Sequence, residues 1–279
     1  MGLRIALLVA AALTAAASSA AQAAIVQFDD AVARVTVIPE MRSDVRVEIV
    51  RPTAELPLRI AQSGDRTVIS GDLGSRLRDC NGREDSRKVR IRGVGSISWS
   101  EMPQVVIRTP RDVRIEADGA VFGSIGRSGS VELQTSGCSG WTVADTTGEA
   151  KVRASGAGSV MMGAAERLDV RISGAGNVHA TRIRRGMDAR LSGAGGVKVV
   201  ELNGPVQADV SGVGRIQVSD GRATTLKASV SGIGGVDFDG VADSLDASIS
   251  GLGSIRVEEV RGAVRRSVSG AGRVVVGGT

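Results

Sequence analysis

A Ser-Gly-x-Gly tetrapeptide recurs through the second half of this chain. A variant, SGCS, starts at Ser136, and SGAG follows at Ser155, Ser173 and Ser192, SGVG at Ser211, SGIG at Ser231, SGLG at Ser250 and SGAG at Ser269. The spacings are 19, 18, 19, 19, 20, 19 and 19 residues. Glycine pairs at this period exclude long helices, because glycine weakens a helix interior and the apolar residues between the pairs lie two apart. Self-similarity of this kind marks a stacked repeat. One unit cannot bury its own apolar edge, but neighbouring copies can.

Counting each repeat from its serine as zero resolves it into columns. Five residues before stand Leu168, Met187, Val206, Leu226, Leu245 and Val264. Three before stand Val170, Ala189, Ala208, Ala228 and Ala247, and one before stand Ile172, Leu191, Val210, Val230, Ile249 and Val268. This period of two predicts a strand with one buried face. A second strand alternates through Val178, Val197, Ile216, Val236, Ile255 and Val274, then Ala180, Val199, Val218, Phe238, Val257 and Val276. Ile183, Leu202, Val241 and Val260 suggest a third inward point, and the x residues Ala175, Ala194, Val213, Ile233, Leu252 and Ala271 an inward column at the corner.

The expected fold is all-β, a single-stranded parallel β-helix or solenoid with ~19-residue coils about 4.8 Å apart. The crossover rule for parallel strands predicts a right-handed winding. Gly156, Gly174, Gly193, Gly212, Gly232, Gly251 and Gly270 are the structural corners, where glycine tolerates positive φ and admits the backbones stacked above and below. Serine is expected to hydrogen-bond nearby backbone there. Aromatics are few (Phe28, Phe122, Phe238, Trp99 and Trp141, with no Tyr), as a narrow interior of Ala, Val, Ile and Leu requires. Each buried Val or Leu contributes roughly 1.5–3 kcal/mol.

The first residues read as an export leader. Arg4 precedes an apolar run from Ile5, and Ala21-Gln22-Ala23 is an A-x-A cleavage pattern, so residues 1–23 are expected to be a signal peptide. Residues 24–77, with alternation at Val35/Val37, Val45/Val47/Ile49 and Leu58/Ile60, are expected to be N-terminal β strands that begin or cap the solenoid. Residues 78–279 are expected to be the parallel β-helix. Its register continues weakly upstream, in Val113, Ile115 and Ala117 before Asp118-Gly119-Ala120, and in Val89 and Ile91 before Arg92-Gly93-Val94-Gly95. Cys80 and Cys138 can pair in an oxidising compartment. The register points Cys138 inward, so a small buried thiol is the competing reading, and both stay open.

The N-terminal ARVTVIPEMRSDVRVEI, the central GSIGRSGSVELQTSGCSGWTVADTTGEAKVRASGAGSV and the SGxG ladder together resemble the auto-transporter adhesin head GIN domain family. The resemblance covers essentially all of the chain beyond the leader. It implies a β-helix of the cell envelope or surface, in the periplasm, on the cell surface or secreted, with no catalytic residues to carry over.

The residues themselves offer little chemistry. Asp237 and Asp239 occur in one coil only, so no recurring oxygen set for calcium is present, and no metal or cofactor is expected. His179 is outward, without a recurring carboxylate beside it. Cys138 lacks a His or basic neighbour in its repeat and is no convincing nucleophile. Trp99 and Trp141 fall on inward columns, leaving no exposed stacking platform. The charge of +5 mixes 35 basic with 30 acidic residues and no continuous basic stripe, so nucleic acid is not an expected partner.

The one candidate patch is the outer face of the first strand. Two residues before successive serines lie Arg153, Arg171, Arg190 and Asp209, and four before lie Asp169 and Asp188. Stacking puts a carboxylate beside each Arg, a self-neutralising ladder that keeps a sheet soluble or holds an anionic sugar. The expected function is a non-catalytic, exported adhesive or ligand-binding scaffold for envelope or extracellular glycans or proteins. Two alternatives stand beside it. One is a polysaccharide lyase or hydrolase using this Asp/Arg face. The other is a structural envelope protein that self-associates through the C-terminal solenoid edge, where the repeat runs to Val276.

Overall fold

The computed structural model describes residues 24–81 and 87–277, and the leader expected over residues 1–23 lies outside them. The chain winds into a parallel β-solenoid of about nine turns with ~19 residues per coil. The sequence columns are its ladders. Leu168, Met187, Val206, Leu226, Leu245 and Val264 pair in register from coil to coil. Val178, Val197, Ile216, Val236, Ile255 and Val274 do the same in the second strand. Their side chains join or pack against one core running from Val26 to Val257, except in the last coil, where Val264 is exposed, as is Val268, which the sequence pattern also turns inward. The third inward point holds at Ile183 and Leu202. It then moves from Val241 to Ala242, because the ladder shifts register between Phe238 and Val241.

The corners differ from the expected arrangement. The x residues point outward, with Val213, Ile233 and Leu252 at 60%, 67% and 64% exposure. The second glycine takes the inward place, beneath the residue that precedes the serine one coil earlier. A Cβ on Gly234 would stand 2.5 Å from Val210 Cγ1, and one on Gly214 3.0 Å from Leu191 Cδ2. That apolar side chain fills the corner from the strand side, so no space remains for x. The first glycines stack directly. A Cβ on Gly156, Gly174, Gly193, Gly212, Gly232, Gly251 or Gly270 would lie under 3.0 Å from the carbonyl oxygen of the glycine one coil before. Close approach is the general reason for glycine here, since only Gly251 and Gly270 of the seven have positive φ.

The chain before the repeat is a solenoid coil interrupted by an excursion. Its strands are β1 (Ile25–Pro39), β2 (Arg46–Arg51), β3 (Arg59–Ser63), β4 (Arg66–Ser70) and β5 (Leu77–Asn81). They continue as β6 (Lys88–Ile91), β7 (Gly95–Ser98), β8 (Gln104–Thr109), β9 (Asp112–Ile125), β10 (Ser130–Thr135) and β11 (Cys138–Val143). β9 lies parallel on β1, with Val26 opposite Ile115 and Val37 opposite Ile125, so β1 already belongs to the stack. On the other edge of β1 lie β4 and β8, both parallel, and β3 and β2 then pair antiparallel with them. Reversed strands do not continue a parallel coil, and they close this end.

β5, β6 and β7 form a separate antiparallel sheet. β5 straddles the boundary expected between residues 77 and 78, so the first residues of the segment expected to be parallel β-helix lie in this antiparallel sheet. Val89 and Ile91 do not belong to a coil either. Gly93 and Gly95 both have positive φ and serve a hairpin turn rather than a stacked corner. This sheet covers the outer face of the first coils. Leu73, Val89, Ile91, Ile97 and Met102 pack on Val32, Ala120 and Phe122 in a second apolar cluster, with Trp99 half-buried against it. Trp141 is in the main core as the register predicts, whereas Trp99 is on no inward column. Cys138 sits in the outward x column, at the edge of the second cluster, and forms a disulfide with Cys80 that ties β5 to β11. The inward thiol is thus excluded by the same geometry that turns every x residue out.

Candidate functional site

Alternation in the first strand sends every second side chain outward, and the in-register ladder lines these up across coils. Arg153 stands beside Arg171, Arg171 beside Arg190 and Arg190 beside Asp209. In the neighbouring column Lys151, Asp169, Asp188 and Gln207 follow one another. All six residues of the patch read from the sequence, Arg153, Asp169, Arg171, Asp188, Arg190 and Asp209, therefore share one face. At its margin the strand turns the corner, and the serine column Ser155, Ser173, Ser192 and Ser211 rises beside the arginines. Between them runs a groove of about 830 Å³ along the stack.

Each arginine of the groove has a carboxylate partner. Arg171 Nε lies 3.5 Å from Asp169, Arg190 Nη2 3.0 Å from Asp188 and Arg190 Nε 3.5 Å from Asp209. Arg153 reaches Glu132 at 3.4 Å, and Gln207 Nε2 donates to Asp209 at 2.9 Å. Glu132 was not singled out in the sequence, although it lies four residues before Ser136, in the same column as Asp169 and Asp188. These pairs are partly exposed, so each is worth only about 0–1 kcal/mol and is exchangeable for a ligand's charge. The serines bond across coils rather than within the turn. Ser211 Oγ donates to Leu191 O at 3.3 Å, and Ser136 Oγ to Asp118 Oδ1 at 2.7 Å.

Asp188 is the perturbed group of the face. Burial holds its carboxyl above the ordinary 3.8, with Asp169 and Asp209 adding to the rise and Arg190 opposing it. Ionising Asp188 is then harder in the folded chain than in the unfolded one. The stability contributed by its protonated form is fully present below the unfolded value and lost as the pH rises through the folded value. Asp188→Asn is accordingly expected to melt above the parent at pH 7 and to match it below about pH 3, in thermal melts across that range.

Other candidates stay apart from the groove. His179 is half-buried between Met161 and Lys198 in an outward column of the second strand. Among the described residues no three His, Cys, Asp or Glu side chains converge as metal ligands. The outward apolar ridge of Val213, Ile233 and Leu252 was missed by sequence reasoning. The signal was available in the corner itself, since an inward column need not wait for a glycine to follow it.

A family model described as "Putative auto-transporter adhesin, head GIN domain" matches residues 79–220, just over half of the chain. Among solved structures, the chain is similar to a "putative adhesin" from Bacteroides fragilis NCTC 9343, at 16% identity over 91% of each chain with a TM-score of 0.39. It is also similar to a "putative adhesin" from Parabacteroides distasonis ATCC 8503, at 16% identity over 91% of this chain and 92% of that one, with a TM-score of 0.47. No curated protein sequence matches it.

Proposed function

The chain belongs to the auto-transporter adhesin head GIN domain family and is an adhesin-like β-solenoid, and from that premise we propose that it is an exported, non-catalytic scaffold whose groove holds an extended acidic glycan of the envelope or the extracellular space. The observation that carries this reading is the repetition of Arg153, Arg171 and Arg190 at one-coil steps along a groove lined by hydroxyls. A repeating cation suits a repeating anion. The carboxylate partners of these arginines, Glu132, Asp169, Asp188 and Asp209, are partly exposed and can give way to a ligand's charge.

The test is a glycan array probed with the chain lacking residues 1–23. Retention of acidic glycans is expected, weakening as salt screens the contact. The double variant Arg171→Glu, Arg190→Glu is expected to bind these glycans at least about tenfold more weakly. Equal retention of neutral glycans, or an unchanged double variant, would sink the proposal. The raised Asp188 carboxyl favours a second reading, a polysaccharide-acting enzyme with Asp188 as proton donor. Turnover of an acidic polysaccharide that vanishes in Asp188→Asn would establish that reading instead.

A further inference from the structure

The excursion walls off a second cavity, of about 980 Å³, on the outer face of the second strands, and it shares no lining residue with the groove. Two outward columns make its floor. Gln104, Arg34, Phe122 and Gly140 stand in register in one, and Val106, Thr36, Ser124 and Thr142 in the other. Gly140 leaves a gap that the Arg87 guanidinium occupies, since a Cβ there would lie 2.5 Å from Arg87 Nη1. Trp99 forms a wall. It opens a single 3-10 turn, Trp99–Glu101, fixed by the Ser98 N–H donating to the Glu101 carboxylate at 2.8 Å.

Among the described residues, the charged side chains that line this cavity are Arg34 and Arg87. The guanidinium carbons of Arg34 and Arg87 lie 5.1 and 5.7 Å from the centroid of the Trp99 ring. No Asp or Glu is among the described residues that line the cavity. Arg34 Nε is buried with no hydrogen-bond partner. Arg51 pairs opposite Gln104, which itself stands beside Arg34, and adds like charge. Burial first and Arg51 second hold the Arg34 pKa below its ordinary value. A guanidinium held over an aromatic ring is attracted to its face and can still take a carboxylate through its N–H donors.

We infer that this cavity binds a uronic-acid residue of an acidic saccharide, with Arg34 on the carboxylate, Thr36, Ser124 and Thr142 on the hydroxyls, and Trp99 against the ring. The hydroxyl row favours a sugar over an acidic peptide. Three hydroxyls about 4.8 Å apart match a ligand that carries several of its own, and a comparison with tri-aspartate tests this against a peptide, whose backbone can also bond hydroxyls. The volume falls within the range of small-ligand sites.

Trp99 and Trp141 both line the cavity, Trp141 from the main core, so a ligand-dependent change in tryptophan emission is assigned to Trp99 by its loss in Trp99→Phe. Titration of the chain lacking residues 1–23 with trigalacturonate is expected to change that emission to saturation. Arg34→Gln is expected to weaken binding about tenfold or more, as losing a charged hydrogen-bond partner does. Thr142→Glu, at an exposed floor position that tolerates substitution, is expected to do the same by repulsion, which keeps the test decisive should Arg34→Gln fail to fold. The groove variant Arg171→Glu, Arg190→Glu is expected to leave this titration unchanged, so the two sites fail or stand separately. Absence of saturation, equal binding of the methyl-esterified trisaccharide, equal binding of tri-aspartate, or normal binding by Thr142→Glu would each overturn the inference.

Discussion

Gly193→Ala is expected to destabilise the solenoid by about 3 kcal/mol, a large effect for one methyl group. The added Cβ would sit within 3.0 Å of the Gly174 carbonyl oxygen, and that oxygen accepts the N–H of Ala194 at 3.1 Å. The stack cannot yield locally, because Gly174 itself rests on Gly156 and Gly212 rests on Gly193. Overpacking of a rigid site costs about 1–3 kcal/mol, and weakening the ladder hydrogen bond adds about 1 kcal/mol. The matched control is Ala194→Val, one residue along, at the exposed x position that holds Val213 and Ile233 in later coils. It is expected to change stability by no more than about 0.5 kcal/mol. Urea titrations followed by circular dichroism separate the two. Equal midpoints would mean that the corners are not stacked as described.

Cys138→Ser is expected to cost ~2–4 kcal/mol, since the bond closes a loop with a sequence separation of 58 residues. The loss should concentrate in the excursion. Its second apolar cluster is small, and the disulfide is its covalent tie to β11, whereas the main core runs on without it. Limited trypsin digestion should therefore open the Arg-rich stretch between Arg76 and Arg92 in the variant, while the repeat from β9 onward resists. Equal protection of both regions in parent and variant would show that apolar packing alone holds the excursion down. Because Trp99 and Arg87 belong to that excursion, the variant should also lose the cavity they help to build.

The repeat was legible because its constraint is local and multiplied. Each Val or Ile column needs the same residue type every 19 or so positions, and eight copies average out the exceptions. The arginine and aspartate face was legible for the same reason, through residues such as Arg171 and Asp188 that recur at fixed offsets. What the columns hid was direction at the corner. Val213 and Ile233 are as apolar as Val210 and Val230, and only the packing of Val210 over Gly234 decides which side chain turns in. The excursion was hidden because it does not repeat. Gly93 and Gly95 imitate a corner in composition, yet they make a hairpin, and the parallel pairing of β1 with β9 joins segments some ninety residues apart that no short-range pattern connects. Arg34 and Trp99 meet through another long-range pairing, that of β1 with β8, which sets Arg34 opposite Gln104.

The separation of inward and outward columns divides the sequence into two scripts. The inward one, with its glycine pairs and small apolar residues, keeps the chain coiled and tolerates little change. The outward one can be rewritten at Val213, Ile233 or Leu252 without disturbing the other, since each of these side chains is more than half exposed. Adding or removing whole coils lengthens or shortens the legible surface in steps of about 4.8 Å, like graduations on a ruler. A chain built this way can change the chemistry of its surface and the length of it, each independently, while its fold stays fixed.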